Sequence, residues 1–220
     1  MIWDALKLSL LVVSVATAVV GLIGLIFSYL LAKTDFRGKE LLDAALTLPL
    51  VLPPTVTGYY LIVLLGRRGL LGHYIYELTG WSFAFTWQGA VVAAVVVSLP
   101  LMIKAARASI ESVAPQYELA SFTLGKGRFE TFLRVTLPLA RRGVYAGLVL
   151  AFARALGEFG ATLMIAGNIP GKTQTMPLAI YEAVASGNET QAQMLAIVLT
   201  TLSIAAVYFT NRISRTQIHA

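Results

Sequence analysis

One charged pair stands in the middle of an apolar segment: Arg154 and Glu158, which are four residues apart. On a helix this spacing puts two side chains one turn apart on the same face, so the charges can pair. An unpaired charge at the centre of a membrane costs at least about 2.5–3.5 kcal/mol, so both side chains should face protein or water. Two interpretations stay open. The pair either fixes helix packing, or it lines or gates an anion path. In such a path Arg154 attracts the anion, and Glu158 keeps the anion from being bound too tightly to move on.

Prolines mark a second unusual place. Pro49, Pro53 and Pro54 fall within six positions of another apolar segment, so the inner half of that segment cannot be an unbroken helix. Carbonyl groups that a broken helix frees at membrane depth must face protein or a wet cavity. Either neighbouring helices repair the kink, or the hydroxyl side chains that follow line a path; these are Thr55, Thr57, Tyr59 and Tyr60.

Residues for catalysis are scarce. The chain has no cysteine and two histidines, His73 and His219, so it has no disulfide, thiolate zinc site or cysteine nucleophile. Neither a zinc-protease H-E-x-x-H motif nor a nucleophile-elbow G-x-S-x-G motif occurs. We therefore expect no catalytic, metal-binding or cofactor-binding residues and no enzymatic activity.

Composition indicates what positions these residues. The 220-residue chain is 57% hydrophobic and 13% charged, whereas soluble domains carry about a quarter charged residues. Its apolar segments are long enough to cross a bilayer, which takes about 20 helical residues. The sequence predicts an all-α polytopic membrane protein with a single transmembrane domain over 1–220, a loop at 107–142 and five helices, at about 8–32, 44–66, 86–106, 143–167 and 190–211. The first is expected to be retained, because its apolar core is longer than that of a signal peptide.

Lysine and arginine positions predict the orientation. Basic residues cluster after the first, third and fifth spans, which places those ends in the cytoplasm and the N-terminus outside. The net charge of +6 is therefore ascribed to topology and lipid contact. The sequence has no basic stripe interleaved with aromatic residues, which is the pattern that would indicate nucleic-acid binding. On the opposite side, Arg67 and Arg68 are exceptions that either draw in an anion or meet acidic groups of a binding protein.

The loop at 107–142 is amphipathic. Pro115 can open one short helix, Gly125 can end it in a left-handed conformation, and a second short helix is expected from Gly127 to Val135, stopped by Pro138. Such a pair either lies on lipid headgroups or contacts a cytosolic partner. A further short helix is expected at Pro177–Ala185, with Leu178, Tyr181 and Ala185 on one face.

Small residues recur every four positions in the fourth span, in two rows. Gly143, Gly147, Ala151 and Ala155 form one row; Ala153, Gly157 and Ala161 form the other. Such rows let helix backbones approach closely in a membrane. Either both rows serve packing within one subunit, or one row serves the fold and the other a dimer interface.

The loop carries a specific resemblance. The run from Tyr117 to Gly125, nine further residues and then Val135–Ala140 resemble the cytoplasmic signature loop of ABC importer permeases, with departures at Leu119 and Ser121. In that family the loop couples to a separate ATPase, and this sequence has no phosphate-binding G-x-x-x-x-G-K-[ST] motif of its own. The resemblance implies that ATPase coupling rests on Tyr117, Glu118, Leu119, Ala120, Ser121, Leu124, Gly125, Leu137 and Pro138.

Further segments resemble the permease subunits of molybdate importers, and sulfate permeases share much of them. They are Phe152–Thr162, Gly167–Gly171, Thr175–Tyr181, Leu46–Pro54 and Gly66–Gly69. The resemblance implies a type I ABC importer permease fold. We expect the translocation path or gate to include Arg154, Glu158, Thr162, Pro53, Pro54 and Thr55.

These observations predict a multi-pass permease subunit of the bacterial inner membrane that translocates molybdate. The expected partners are a second copy of the chain, ATPase subunits, a periplasmic oxyanion-binding protein and membrane lipid, and no nucleic acid. Sulfate, tungstate or another oxyanion is the alternative substrate. A secondary transporter that uses Arg154 and Glu158 as an ion-coupled site is the alternative mechanism.

Overall fold

The computed structural model describes residues 2–216, with side chains described for 2–208; His219 lies outside them. The described backbone is helical, without strands. The elements are α1 (Ile2–Lys33), α2 (Lys39–Val51), α3 (Pro54–Leu65), α4 (Gly72–Thr79), α5 (Trp87–Glu111), α6 (Pro115–Thr123), α7 (Arg128–Thr131), a π-helical turn (Phe132–Thr136), α8 (Leu137–Leu156), α9 (Gly160–Ala166), α10 (Met176–Ala185) and α11 (Glu189–Thr216).

Four helical stretches are long and apolar enough to span a membrane: α1, α5, the run Arg128–Leu156, and α11. A fifth span is possible if α2 and α3 are counted together, although they meet at a bend of 119°. The prolines explain this bend, because Pro53 and Pro54 cannot donate backbone hydrogen bonds and Pro54 instead starts α3. The expected break in the second apolar segment is confirmed, while Pro49 lies inside α2.

Helix α5 is the centre of the bundle, with α1 and α8 packed against it. Gly147 of α8 approaches Met102 so closely that an added methyl group would lie 2.8 Å from its sulfur. Ala151 and Ala155, from the same four-spaced row, are buried. This row therefore serves packing within the subunit.

The second small-residue row does not exist as a helical row. Ala153 and Gly157 are exposed, whereas Ala161 is fully buried and belongs to a different helix, α9. The prediction of a continuous fourth helix through 143–167 is wrong here, because α8 ends at Leu156 and α9 begins at Gly160.

The inner end of the fourth span also differs from the prediction. Helix runs without a stop from Arg128 to Leu156, so Pro138 does not end a short helix at Val135. The Leu137 N–H reaches back five residues to the Phe132 carbonyl in the π-helical turn, and Pro138 then occupies the first turn of α8. A proline is tolerated there because it lacks only a hydrogen bond that a first turn does not make.

Candidate translocation path and coupling surface

The predicted charged pair lies at the break between α8 and α9. Arg154 is in the last turn of α8, and Glu158 lies in the three-residue connection that follows Leu156. Glycines at 157 and 160 favour a break, since glycine is a poor helix former. The expected pairing is confirmed, but the two residues do not share a helix.

Glu158 makes two contacts from a buried position. Its Oε2 lies 2.7 Å from Nη1 of Arg154, and its Oε1 accepts a hydrogen bond of 2.7 Å from the backbone N–H of Ala161. The Glu158 side chain is 2% exposed, whereas that of Arg154 is 28% exposed. The carboxylate thus holds the guanidinium and also satisfies a free N–H group at the start of α9.

The two breaks in the helices lie side by side. A methyl group added to Gly160, at the start of α9, would lie 3.0 Å from Pro54 Cβ and 3.3 Å from the Thr55 nitrogen. One turn further along α3, a methyl group added to Gly58 would lie 2.8 Å from the Ala161 Cα. Glycine is therefore required at position 58, and at position 160 a larger residue would force small shifts of its neighbours.

The structure therefore brings the predicted path residues into one region. Pro53, Pro54 and Thr55 are exposed at the start of α3, while Glu158 and Thr162 are buried beside them. The contributions of Gly58, Gly160 and the Ala161 N–H were not predicted. The only sequence signal for them is the presence of glycine near each break.

One buried hydroxyl lies next to this region. Thr57, on the first turn of α3, is 4% exposed, and its Oγ1 has no hydrogen-bond partner among the described residues. Buried polar groups are usually paired, so this hydroxyl is a free donor close to the break.

The helix predicted at Pro177–Ala185 is present as α10, beginning one residue earlier. Its predicted face is only partly right, because Leu178 is buried but Tyr181 and Ala185 are exposed. The Tyr181 ring packs on Phe159, in the α8–α9 break, with ring centroids 5.1 Å apart. α10 therefore contacts the break between α8 and α9 through this ring pair.

The segment that is predicted to couple to an ATPase is built from α6 and α7 and is here called the coupling segment. Pro115 opens α6, and Gly125 adopts φ +78° directly after it, both as predicted. An L-residue with a side chain resists that backbone conformation. On this segment, Tyr117, Leu119 and Leu124 are 52%, 61% and 78% exposed, and Ala120 is also exposed. An exposed apolar surface of this kind is typical of a contact site.

Two residues of the predicted coupling set point inward. Glu118 accepts from Lys33 Nζ at 2.9 Å and from Thr136 Oγ1 at 2.6 Å, so it joins α1, α6 and the π-helical turn. Ser121 is buried and shares a hydrogen bond of 2.8 Å with Thr131. These residues hold the segment in place. Leu137 is half-buried and Pro138 exposed, both at the start of α8.

Comparison with known proteins identifies a family that covers nearly the whole chain. Residues 9–217 match the family described as binding-protein-dependent transport system inner membrane component. The molybdenum transport system permease protein ModB of Escherichia coli is 46% identical over 214 residues, which cover 97% of this chain and 93% of that protein. A sulfate transport system permease protein of Synechococcus elongatus is 35% identical over 204 residues, covering 93% and 71%.

Solved structures show the same fold. A bacterial ABC transporter that imports the polysaccharide alginate has a chain that superposes with a TM-score of 0.80 at 15% identity, covering 97% of this chain and 78% of that one. At this identity the likeness concerns the fold alone. The fold is thus that of a type I ABC importer permease, as predicted.

Proposed function

The chain belongs to the family of binding-protein-dependent transport system inner membrane components, and on that premise we propose that it carries molybdate across the inner membrane. It is a multi-pass permease subunit and not an enzyme, since ATP hydrolysis in this family is the task of a separate subunit. The choice of molybdate is supported by the ModB protein that shares 46% of its residues with this chain.

One observation carries the class of substrate. Among the predicted path residues, the guanidinium is that of Arg154, which is partly exposed while its carboxylate partner is buried. A guanidinium offers several N–H donors in a fork that suits an oxyanion. Glu158 Oε2 lies 2.7 Å from Nη1 of this group and offsets its charge, so an anion is attracted to Arg154 without being trapped.

We assign the path or gate to the place where the two broken helices meet. The start of α3, with Pro53, Pro54 and Thr55, is exposed and lies against Gly160. Arg154, Glu158 and Thr162 belong to the end of α8, the connection and the start of α9 on either side of that glycine. A single chain of this size supplies half a path, and a second copy related by a two-fold axis supplies the other half. The exposed Tyr59 and Tyr60 of α3 support such a face between copies.

The ATPase docks on the exposed surface of α6 and of the residue that follows it, formed by Tyr117, Leu119, Ala120 and Leu124. The segment is suited to transmit movement because Glu118 ties it to α1 and to the π-helical turn, and Ser121 joins its two helices, α6 and α7. When the ATPase subunits close on ATP, the two coupling segments are drawn together, and the tied elements move with them. On the outer side, a periplasmic oxyanion-binding protein delivers the substrate.

Orientation has its own test. The distribution of basic residues supports a periplasmic N-terminus and a cytoplasmic C-terminus. A reporter fused after Arg128 should then be cytoplasmic, and one fused after Lys172 should be external. If both reporters lie on the same side, the arrangement of the fourth span is wrong.

Transport is tested with the whole complex in proteoliposomes: this permease, its ATPase and its binding protein. We expect uptake of molybdate that requires ATP inside the vesicle, with tungstate as a competitor. Sulfate is the second candidate because of the sulfate permease similarity. Uptake of sulfate in preference to molybdate would show that sulfate is the substrate. Uptake driven by an ion gradient without ATP would overturn the mechanism.

A further inference from the structure

Several cations of this subunit lack a carboxylate partner. On the side of the coupling segment, some lysines and arginines lie within 3.2 Å of a carboxylate, among them Lys33, Lys104, Arg107, Lys126 and Arg134. Arg37, Arg128 and Arg142 on that side are exposed without such a partner among the described side chains. On the opposite side, Arg67, Arg68 and Lys172 are exposed and have no carboxylate partner among the described side chains. These three are also exceptions to the preference of basic residues for the cytoplasmic side.

Arg67, Arg68 and Lys172 all line one cavity of about 770 Å³, here called the outer cavity. It lies between the end of α3, α4, the connection from α4 to α5, and the loop after α9, and its described lining contains no Asp or Glu. Like charges around a concave surface raise the potential inside it and concentrate ions of opposite sign. The outer cavity is therefore an electropositive site without an internal counter-charge.

Arg67 is held in place within this cavity. Its guanidinium carbon lies 4.1 Å from the centre of the Tyr76 ring, a cation–π contact. This contact orients the guanidinium without neutralising it. Arg68 and Lys172 then add charge around a positioned group, and Ser82 and Thr86 add hydroxyls to the lining.

The lining of the outer cavity is tied to the path region through Phe85. Phe85 has φ +60°, which is rare for a residue with a bulky side chain and is tolerated only where the surroundings enforce it. Its N–H donates to the Ile165 carbonyl at 3.0 Å, and its ring lies against Gly167 at the end of α9. The other end of α9 carries the Glu158 contact, so one short helix joins the outer cavity to the charged pair.

We propose that the outer cavity is a collecting site for a divalent oxyanion, which is held loosely by Arg67, Arg68 and Lys172 before it reaches Arg154. The inference rests on the proposed function for the identity of the anion. The concentration of anions in the cavity rests only on the unpaired charges. Loose binding follows from the size of the cavity, which exceeds that of one such anion and keeps the ion hydrated.

A spectroscopic experiment tests the concentration of anions directly. Trp81 lines the outer cavity, and the other two tryptophans are Trp3 and Trp87, so a Trp3→Phe, Trp87→Phe background reports on Trp81 alone. In the purified permease at low ionic strength, quenching by iodide should be about threefold stronger than in the triple variant Arg67→Gln, Arg68→Gln, Lys172→Gln, whereas neutral acrylamide should quench both equally. Added molybdate should reduce the iodide quenching of the parent.

Lys7→Gln is the matched control, because Lys7 is an exposed cation of α1 that does not line the outer cavity. It should leave iodide quenching of Trp81 unchanged. Equal iodide quenching of the parent and the triple variant would overturn the proposal, whether or not the complex transports an oxyanion. If the triple variant does not fold, Arg68→Gln alone is compared with Arg68→Lys, and only the former should reduce iodide quenching.

Transport distinguishes an anion site from a docking surface. In proteoliposomes the triple variant should transport about tenfold less molybdate per ATP hydrolysed at low salt, and Arg67→Lys with Arg68→Lys should retain transport. If the variant instead needs a higher concentration of binding protein and transports normally per ATP, the cations contact that protein and the proposal is wrong. If the parent complex takes up no molybdate, the proposed function fails. The iodide result still tests whether the outer cavity concentrates anions.

Discussion

Two carboxylates of this subunit make the same kinds of contact in different settings. Glu118 and Glu158 each form an ion pair with one cation, Lys33 or Arg154, and each accepts a hydrogen bond from one other group. Glu118 links parts of the chain that are 85 and 18 residues away, whereas the partners of Glu158 lie within four residues of it. Glu118 is therefore a clamp between elements, and Glu158 is the local support of one helix break.

The difference in burial predicts which carboxylate matters more for stability. The Glu158 side chain is 2% exposed and that of Glu118 is 16% exposed. Removing an acceptor from a more buried position strands its partners with less access to water. Loss of Glu158 should therefore damage the fold, and loss of Glu118 should damage coupling.

Glu158→Leu is expected to have the largest effect. It leaves Arg154 without its partner and the Ala161 N–H without an acceptor, which should reduce the free energy of unfolding by about 3 kcal/mol. Thermal unfolding of the complex in detergent measures this loss. Glu158→Gln is the control, because its amide oxygen can still accept from Ala161, and it should lose less stability.

A double variant tests whether the pair does more than support the break. Arg154→Met with Glu158→Gln removes both charges and keeps the acceptor for Ala161, so stability should return close to that of the parent. Arg154→Met with Glu158→Leu should stay about 1 kcal/mol or more below it, because the N–H remains unsatisfied. We expect neither variant to take up molybdate. A Met/Gln variant as stable and as active as the parent would show that the pair is purely structural.

Glu118→Ala is expected to have the next largest effect, because it releases α6 from both α1 and the π-helical turn. A loss of about 1–2 kcal/mol in stability should accompany a marked loss of ATPase stimulation by the loaded binding protein. Glu130→Ala is the matched control on the same segment, since Glu130 pairs with Lys126 and Arg134 at the surface. Stimulation reduced equally by both variants would mean that Glu118 is no special clamp.

Gly125→Val separates backbone conformation from contact. No atom outside the adjoining residues lies within 4 Å of the position of an added Cβ, so the expected loss of about 1–2 kcal/mol comes only from φ +78°. The subunit should still insert, but the ATPase should be stimulated less. Gly127→Val is the control, with equally open space and φ −73°, and it should behave like the parent. Normal assembly and stimulation of Gly125→Val would remove the coupling claim.

The smallest effect is expected for the contact between Ser121 and Thr131. In a double-mutant cycle with Ser121→Ala and Thr131→Val, each single variant should lose about 1 kcal/mol, and the double variant should lose less than the sum. Thermal unfolding of the four proteins measures the coupling. Fully additive losses would show that the hydroxyls do not support each other.

Features that depend on neighbouring residues were determined by the sequence itself. The apolar spans, the break at Pro53–Pro54, the start of α6 at Pro115 and the left-handed Gly125 follow from hydropathy, from the ring of proline and from the absence of a Cβ. The pairing of Arg154 with Glu158 was also predicted. Residues four apart in the chain lie close together within a helix, and here they also do so where the helix ends between them.

Other features were decided only by tertiary structure. The sequence placed Glu118 in a coupling surface, but Lys33 and Thr136 turn it inward. The sequence suggested that Pro138 stops a helix, but the π-helical turn lets the helix continue. The end of α8 before Glu158 became evident only with the Gly160 contact to Pro54 and Thr55. In each case the feature depends on a residue that is distant in the chain or lies in another helical turn. The position of that residue depends on how whole helices pack.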